Sequence, residues 1–272
     1  MKSIKNLIHN SPVDKIDTKL ILRHILNLSQ VQLITQCERE LTNAELTVFD
    51  EYCQLLKQHM PLNYIVGYRE FYSRRFCVTT DTLIPRPETE LLVDEVLALS
   101  ASNAISPLRV LELGTGSGVI AISIKLERPA LIVEATDKYL SALEVAKNNA
   151  AMLNADVYFY LSDWYTDVST NNRYDIIVSN PPYIAKDDTH LAKLYFEPQH
   201  ALTDFADGTV CLNHIIQNAP SYLNVNGWLL VEHGFEQGSI VRQLYLNSGF
   251  KNVHTIYDYA NLERITVGQK ND

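Results

Sequence analysis

A short apolar strand, a turn with three glycines at alternate positions and an apolar helix follow one another without a break from Arg109 to Glu127. Arg109-Val110-Leu111-Glu112-Leu113 has the length and branched side chains of a buried strand, and Val119–Glu127 is apolar enough for a helix buried on most sides. Gly114-Thr115-Gly116-Ser117-Gly118 joins them through a turn that residues bearing a Cβ make only under strain. A strand that runs straight into a helix belongs to a parallel sheet, and such a sheet needs both faces covered. The remainder should therefore alternate, and it does. Strands are predicted over residues 131–136, ending at Asp137, and over 157–161, 174–179 and 227–232, with two more near 251–257 and 263–268. Helices are predicted over Tyr139–Leu153 and from the fifth strand to about Asn247. The fold class is a doubly wound α/β domain.

The chain ahead of this domain reads as helical. Ile16, Leu20, Ile21, Ile25 and Leu28 form an amphipathic stripe, and a short helix is predicted from Val31 to Cys37. Thr42-Asn43-Ala44-Glu45 has the form of a capping box, opening a helix that should stop before Pro61. Residues 70–78 carry β-favouring side chains on both sides of a polar pair and predict a hairpin. Pro87-Glu88-Thr89-Glu90 opens a helix to about Leu99, with acids in the first turn, where the helix dipole favours them. The resulting organisation is a small helical domain over 1–72, a hairpin and linker over 73–87, and the α/β domain over 88–272.

Charge is placed unevenly. Residues 1–84 hold ten Lys and Arg against nine Asp and Glu, so of the totals 23 and 32 the remainder holds 13 and 23, a net of −10. Broad binding to nucleic-acid phosphates comes from basic surface, so stable binding of nucleic acid is not expected. No apolar run approaches the roughly 20 residues of a membrane span, and the first residues lack the apolar stretch of a secretory leader. Cys37, Cys53, Cys77 and Cys211 show no CxxC spacing, and the eight histidines show no ligand spacing. No metal and a cytoplasmic setting are the expectations.

The glycine turn fits neither common phosphate loop. A dinucleotide fingerprint would need glycine at 119, where Val119 stands, and no Gly-Lys-Ser/Thr follows. Gly114, Gly116 and Gly118 instead let backbone pass close to a ligand at a helix N-terminus, which can meet a carboxylate. Asp137 ends the next strand, 23 residues past Gly114, where it can accept from both hydroxyls of a ribose. Its alternative role is the N-cap of the following helix. Asp163-Trp164 offers a carboxylate beside an indole, an edge-and-face pair for adenine, unless Trp164 is simply core.

The fourth strand ends in Asn180-Pro181-Pro182-Tyr183. Two prolines make that loop stiff and stop the sheet ladder. The Asn180 side-chain oxygen and the Pro181 carbonyl are fixed acceptors, and Tyr183 offers a flat ring, an arrangement suited to holding a planar –NH2 group. An ordinary Asn-Pro turn is the alternative. A nucleoside with an amino-acid tail, bound beside an amide-sized acceptor pocket, describes S-adenosylmethionine.

ELGTGSG, Asp137, SDW at 162–164, SNPPYI at 179–184, FEP at 196–198, LLVEHG at 229–234 and IPRPETE at 84–90 together resemble the release factor glutamine methyltransferase family over nearly the whole chain. The resemblance implies a Rossmann-like class I methyltransferase domain that moves a methyl group from S-adenosylmethionine to the glutamine side-chain nitrogen in the Gly-Gly-Gln motif of peptide chain release factors. It implies that Gly114, Thr115, Gly116, Ser117, Gly118, Asp137, Trp164 and Asn180 contact the cofactor or reacting centre. It also implies that Asn180, Pro181, Pro182 and Tyr183 hold the glutamine, with Asn180, Pro181 and Tyr183 catalytic, and that the helical domain docks the release factor. Ser117 stands where threonine is common. Glu197 and His233 are expected to be structural hydrogen-bonding groups, and the enzyme is expected to be a monomer. NPPY alone is shared with enzymes that methylate adenine and cytosine amino groups, so a nucleic-acid amino-methyltransferase is the second reading. A non-catalytic cofactor-binding scaffold is the third.

Overall fold

A computed structural model describes residues 2–101 and 107–271. The chain divides into two compact units, Met1–Tyr68 and Arg69–Asp272. The first holds α1 (Ile4–His9), α2 (Lys15–Ile25), α3 (Gln30–Thr35), α4 (Asn43–Lys57) and α5 (Leu62–Val66). Thr42 caps α4 as predicted: its hydroxyl accepts from the Glu45 N–H, and the Glu45 carboxylate accepts from the Thr42 N–H. A second capping box, Ser29 with Gln32, opens α3. The buried face of α2 differs from the predicted stripe. Ile16 is 69% exposed, while Thr18 is buried with Ile21 and Leu22. The helix starts at Asp14, whose carboxylate accepts from the Ile16 N–H, and the Thr18 hydroxyl turns inward to the Asp14 carbonyl. Ile21, Leu22, Leu26, Leu33, Phe49 and Cys53 form this unit's core with Ile4 of α1, a helix the apolar periodicity does not reveal.

A hairpin follows, β1 (Tyr68–Phe71) and β2 (Arg74–Cys77). The hairpin lies within the predicted stretch, with its turn at Tyr72 and Ser73, both at positive φ. Two successive left-handed residues match the twist of paired strands. The Tyr72 N–H also donates to Glu90, which fixes the turn's position. Phe71 and Phe76 are buried in the core of the second unit, and the division between the two units falls after Tyr68, the first residue of β1.

Beyond it come α6 (Glu90–Ser100), β3 (Arg109–Leu113), α7 (Val119–Glu127), β4 (Ile132–Asp137), α8 (Leu140–Leu153), β5 (Tyr158–Leu161) and β6 (Tyr174–Ser179). Then follow α9 (Val210–Asn218), β7 (Leu223–Glu232), α10 (Gly238–Asn247), β8 (Phe250–Tyr257) and β9 (Glu263–Lys270). The seven strands lie in the order β5-β4-β3-β6-β7-β9-β8. Pairings from β5 through β7 are parallel, and β9 runs antiparallel to both β7 and β8.

Alternation along each strand divides the core. Val110, Ile176, Val178 and Leu230 face α6, α7 and α8. Leu111, Leu113, Ile177, Leu229 and Val231 face α9 and α10. Each such side chain contributes roughly 1.5–3 kcal/mol on burial, which holds both helix layers to the sheet. Strand order reverses at β3, with β4 on one side and β6 on the other. The crevice at the carboxyl ends of these strands is where an open α/β sheet binds ligands. Among the described residues no helix is long and apolar enough to cross a membrane.

Candidate active site

A cavity of about 270 Å³ opens at that crevice, lined by Gly114, Thr115, Gly116 and Ser117 of the glycine turn, Asp137, Asp163, Trp164, Asn180 and Pro182, with Gly118 outside the lining. Four predicted stretches, far apart in the chain, thus meet at one site. Gly114, Gly116 and Gly118 sit at φ 72, 55 and 82, the left-handed region that favours glycine. A Cβ on Gly114 would lie 3.2 Å from the Trp164 ring, and one on Gly118 would lie 2.8 Å from Ile122. The turn is held from beneath by Glu112, whose carboxylate accepts from the Thr115 hydroxyl at 2.6 Å and the Ala121 N–H at 3.0 Å. Burial pushes the Glu112 carboxyl up to about 8, with the nearby Asp137 charge adding to the rise against those two hydrogen bonds. Glu112 also lines the cavity.

Asp137 accepts the Gly116 N–H on one oxygen and the Tyr139 N–H on the other, each at 2.9 Å. It therefore anchors the glycine turn instead of capping α8, whose N-cap position is Tyr139. Each oxygen keeps acceptor capacity towards the cavity. Burial raises its pKa, opposed by those N–H groups and by His200. Trp164 stands at φ 54 with its carbonyl held by the Ser162 hydroxyl, and Asp163 pairs with Lys138 at 2.8 Å.

Asn180 follows β6 directly. The Ser179 hydroxyl donates to the Leu113 carbonyl at 2.8 Å and locks this loop to β3. The Asn180 amide group donates from Nδ2 to Thr89 Oγ1 at 3.1 Å. The Thr89 hydroxyl in turn donates to Glu232 at 2.8 Å. Tyr183 turns its hydroxyl to the other Glu232 oxygen at 3.3 Å. Burial, reinforced by the Glu232 charge, raises the Tyr183 pKa far above the ordinary value, so the hydroxyl stays protonated as a donor. Pro181 is buried, and neither it nor Tyr183 is among the residues lining the cavity. The Tyr183 carbonyl is held by Gln237 Nε2 at 3.0 Å, and the same nitrogen donates to the Gly208 carbonyl at 3.1 Å.

The two groups expected to be structural are so. Glu197, buried, accepts from the Ile84 N–H and pairs with Arg86 at 2.6 Å, joining the IPRP and FEP segments. His233 is buried between the Thr266 hydroxyl and the Gly234 carbonyl. Arg86 and Thr89, both within IPRPETE, also line the cavity, as do His200 and Phe205, which no sequence motif singles out. His200 packs against Tyr139 with ring centroids 3.8 Å apart and the planes tilted by 33°, and Phe205 holds φ 59. Both lie in an irregular segment, where no periodicity marks an inward-facing side chain.

The family described as Methyltransferase small domain matches residues 88–262, and that described as PrmC N-terminal domain matches residues 3–67. A release factor glutamine methyltransferase of Neisseria gonorrhoeae is 45% identical over 262 residues, covering 95% of this chain and 94% of that protein. Its counterpart in Aliivibrio fischeri is 41% identical over 272 residues, 98% of this chain and 95% of that protein. Among solved structures, a 16S rRNA methyltransferase of T. thermophilus in complex with AdoMet and guanosine matches at a TM-score of 0.54 and 15% identity. That match covers 75% of this chain and 50% of the other, and the likeness is one of fold. Identity of this degree over nearly the full length, in both the helical and the α/β unit, makes this chain a member of the release factor glutamine methyltransferase family.

Proposed function

We propose that this chain transfers the methyl group of S-adenosylmethionine to the side-chain nitrogen (N5) of the glutamine in the Gly-Gly-Gln motif of peptide chain release factors, leaving S-adenosylhomocysteine. The observation that carries this reading is the orientation of Asn180. Its Nδ2 is committed to Thr89, and its oxygen accepts nothing from the described residues, at the edge of the cavity shared with the glycine turn and Asp137.

The cavity fits the cofactor by its donor set. Asp137 offers one free acceptor site per oxygen for a ribose diol, the Trp164 ring lies close against Gly114, and the glycine backbone leaves room that a Cβ would fill. When bound, the cofactor supplies an electrophilic methyl on a sulfonium. The chain's part is to aim the nucleophile. An amide nitrogen is weakly nucleophilic because its lone pair is delocalised into the carbonyl. Accepting its two hydrogens on Asn180 Oδ1 and the Pro181 carbonyl turns the lone pair towards the methyl and favours loss of planarity as the N–C bond forms. The N-methylated, protonated amide is acidic enough to release its proton to water, so no strong base is needed.

Residues 1–72 dock the release factor, 73–87 link the two parts, and 88–272 carry out the transfer, in the cytoplasm and as a monomer. The net −10 of the chain beyond residue 84 disfavours a phosphate backbone as substrate. Labelled cofactor should mark a release factor and fail to mark the same protein with its Gly-Gly-Gln glutamine changed to alanine. Ribosomal RNA or DNA labelled at a matching rate would put the nucleic-acid reading first. Asp137→Ala should weaken cofactor binding by roughly 1.5–3 kcal/mol, the scale of a hydrogen bond to a charged group. Titration calorimetry that found unchanged affinity in the folded variant would remove Asp137 from the ribose.

A further inference from the structure

We infer that Thr89 and Glu232 are positioning residues for the transfer, fixing which end of the Asn180 carboxamide faces the substrate. This inference rests on the reading of Asn180 as the acceptor of the glutamine amide.

A carboxamide is nearly symmetric in shape, and only its hydrogen-bond partners decide whether oxygen or nitrogen faces a pocket. Here three groups settle it in sequence. Glu232 ends β7, and Asn180 follows β6; the two strands are parallel neighbours, with Ser179 paired to Val231. Thr89, at the end of the short helical turn Pro87–Thr89, is placed between them. Glu232 is 1% exposed and Thr89 3%, so water does not replace either partner. An ionised carboxylate only accepts, so the single hydroxyl proton of Thr89 points to Glu232 at 2.8 Å. The Thr89 oxygen then has only lone pairs to offer Asn180, which must meet it with Nδ2, at 3.1 Å. Oδ1 is left facing outward, the only polarity that can accept a substrate N–H. Tyr183 donates to the second Glu232 oxygen, so the same carboxylate steadies both ends of the NPPY loop.

Protonation of Glu232 would undo this order. A protonated carboxyl can donate to Thr89, freeing the Thr89 proton for Asn180 and allowing the amide to turn over. The charged and titratable groups that act on Glu232 are Arg264 of β9, Tyr183 of the loop and Glu88 of the helical turn. Burial is the largest influence and raises the carboxyl to about 7; the Thr89 hydrogen bond, Arg264 and Tyr183 oppose it, and Glu88 adds to it. The ionised, productive form therefore predominates above about pH 7 and is lost as pH falls through that value.

The test compares full-length Thr89→Val, Thr89→Ser, Glu232→Gln and Asn180→Ala, alone and with Thr89→Val added to Asn180→Ala. Cofactor affinity is measured in every sample as a check on folding. Thr89→Val should lower kcat at least tenfold with cofactor Kd and release-factor KM little changed, and Thr89→Ser should restore kcat to within a few-fold. Added to Asn180→Ala, Thr89→Val should cost nothing further. Wild-type kcat should fall on the acid side of neutrality, and Glu232→Gln, whose amide oxygen can still accept from Thr89, should lose that limb. If Thr89→Val no longer binds cofactor, the pH profile of Glu232→Gln decides between the outcomes. Wild-type kcat in Thr89→Val beside a crippled Asn180→Ala would overturn the inference alone, as would an unchanged acid limb in Glu232→Gln or a full Thr89→Val defect in the Asn180→Ala background. A normal rate in Asn180→Ala itself would instead overturn the reading of Asn180.

Discussion

Asn180→Ala is expected to slow methyl transfer on the order of a hundredfold or more, the usual cost of losing a preorganised group that orients the reacting atom. The effect should fall on the chemical step. The glycine turn is held by Glu112 and by the Asp137 carboxylate, which accepts the Gly116 N–H, and not by Asn180, so the cofactor side of the cavity should survive the change. Asn180 does line the cavity, which allows a smaller loss of cofactor affinity. Single-turnover rates with saturating cofactor and release factor separate the two, and near wild-type turnover would remove Asn180 from the reaction.

Gly208→Ala should be nearly as damaging, though residue 208 lies outside every recognised motif. Gly208 sits at φ 84, and a Cβ there would lie 2.3 Å from the Tyr183 carbonyl oxygen and 3.1 Å from the Ala185 nitrogen. Both are backbone atoms and cannot rotate away. The left-handed conformation costs a side-chain-bearing residue about 1–3 kcal/mol, and overpacking adds about as much again. The remaining escape is to push the Tyr183 carbonyl off Gln237, which would shift NPPY as a block. Denaturant unfolding should show the lost stability, and turnover should drop at least tenfold in whatever fraction stays folded. An unchanged midpoint and an unchanged rate would mean that the loop yields freely.

What is legible in the sequence is whatever a local run of residues decides. β6 lies over Tyr174–Ser179 and α7 over Val119–Glu127, as their apolar runs and the flanking prolines and glycines require. Gly114–Gly118, Asp137, Trp164 and Asn180 are legible because each stands at or near the carboxyl end of a strand, next to its own marker. α9 is not. It begins where the Asp204 carboxylate collects the N–H groups of Ala206, Gly208 and Val210, a turn built by one side chain and not by periodicity. β7 starts at Leu223 and not Gly227, because its first residues alternate with polar asparagines that hide the strand. The partners of NPPY are hidden for a different reason. Thr89 and Glu232 are 143 residues apart, and Gln237 and Tyr183 are 54 apart. The pairing of strands β6 and β7 brings Glu232 and Gln237 to this loop, and the turn Pro87–Thr89 brings Thr89.

The placing of Trp164 has an optical consequence. The protein has two tryptophans, and they occupy different ends of the sheet. The Trp164 indole rests against Gly114 in the wall of the main cavity, whereas Trp228 lines a small hollow beside Asp175 and Ile176, near the start of β6. An adenine ring entering the cavity would change the surroundings of one emitter and leave the other as an internal reference. Intrinsic fluorescence should therefore follow cofactor binding without any attached label, and Trp164→Phe should abolish the change while keeping the emission of Trp228.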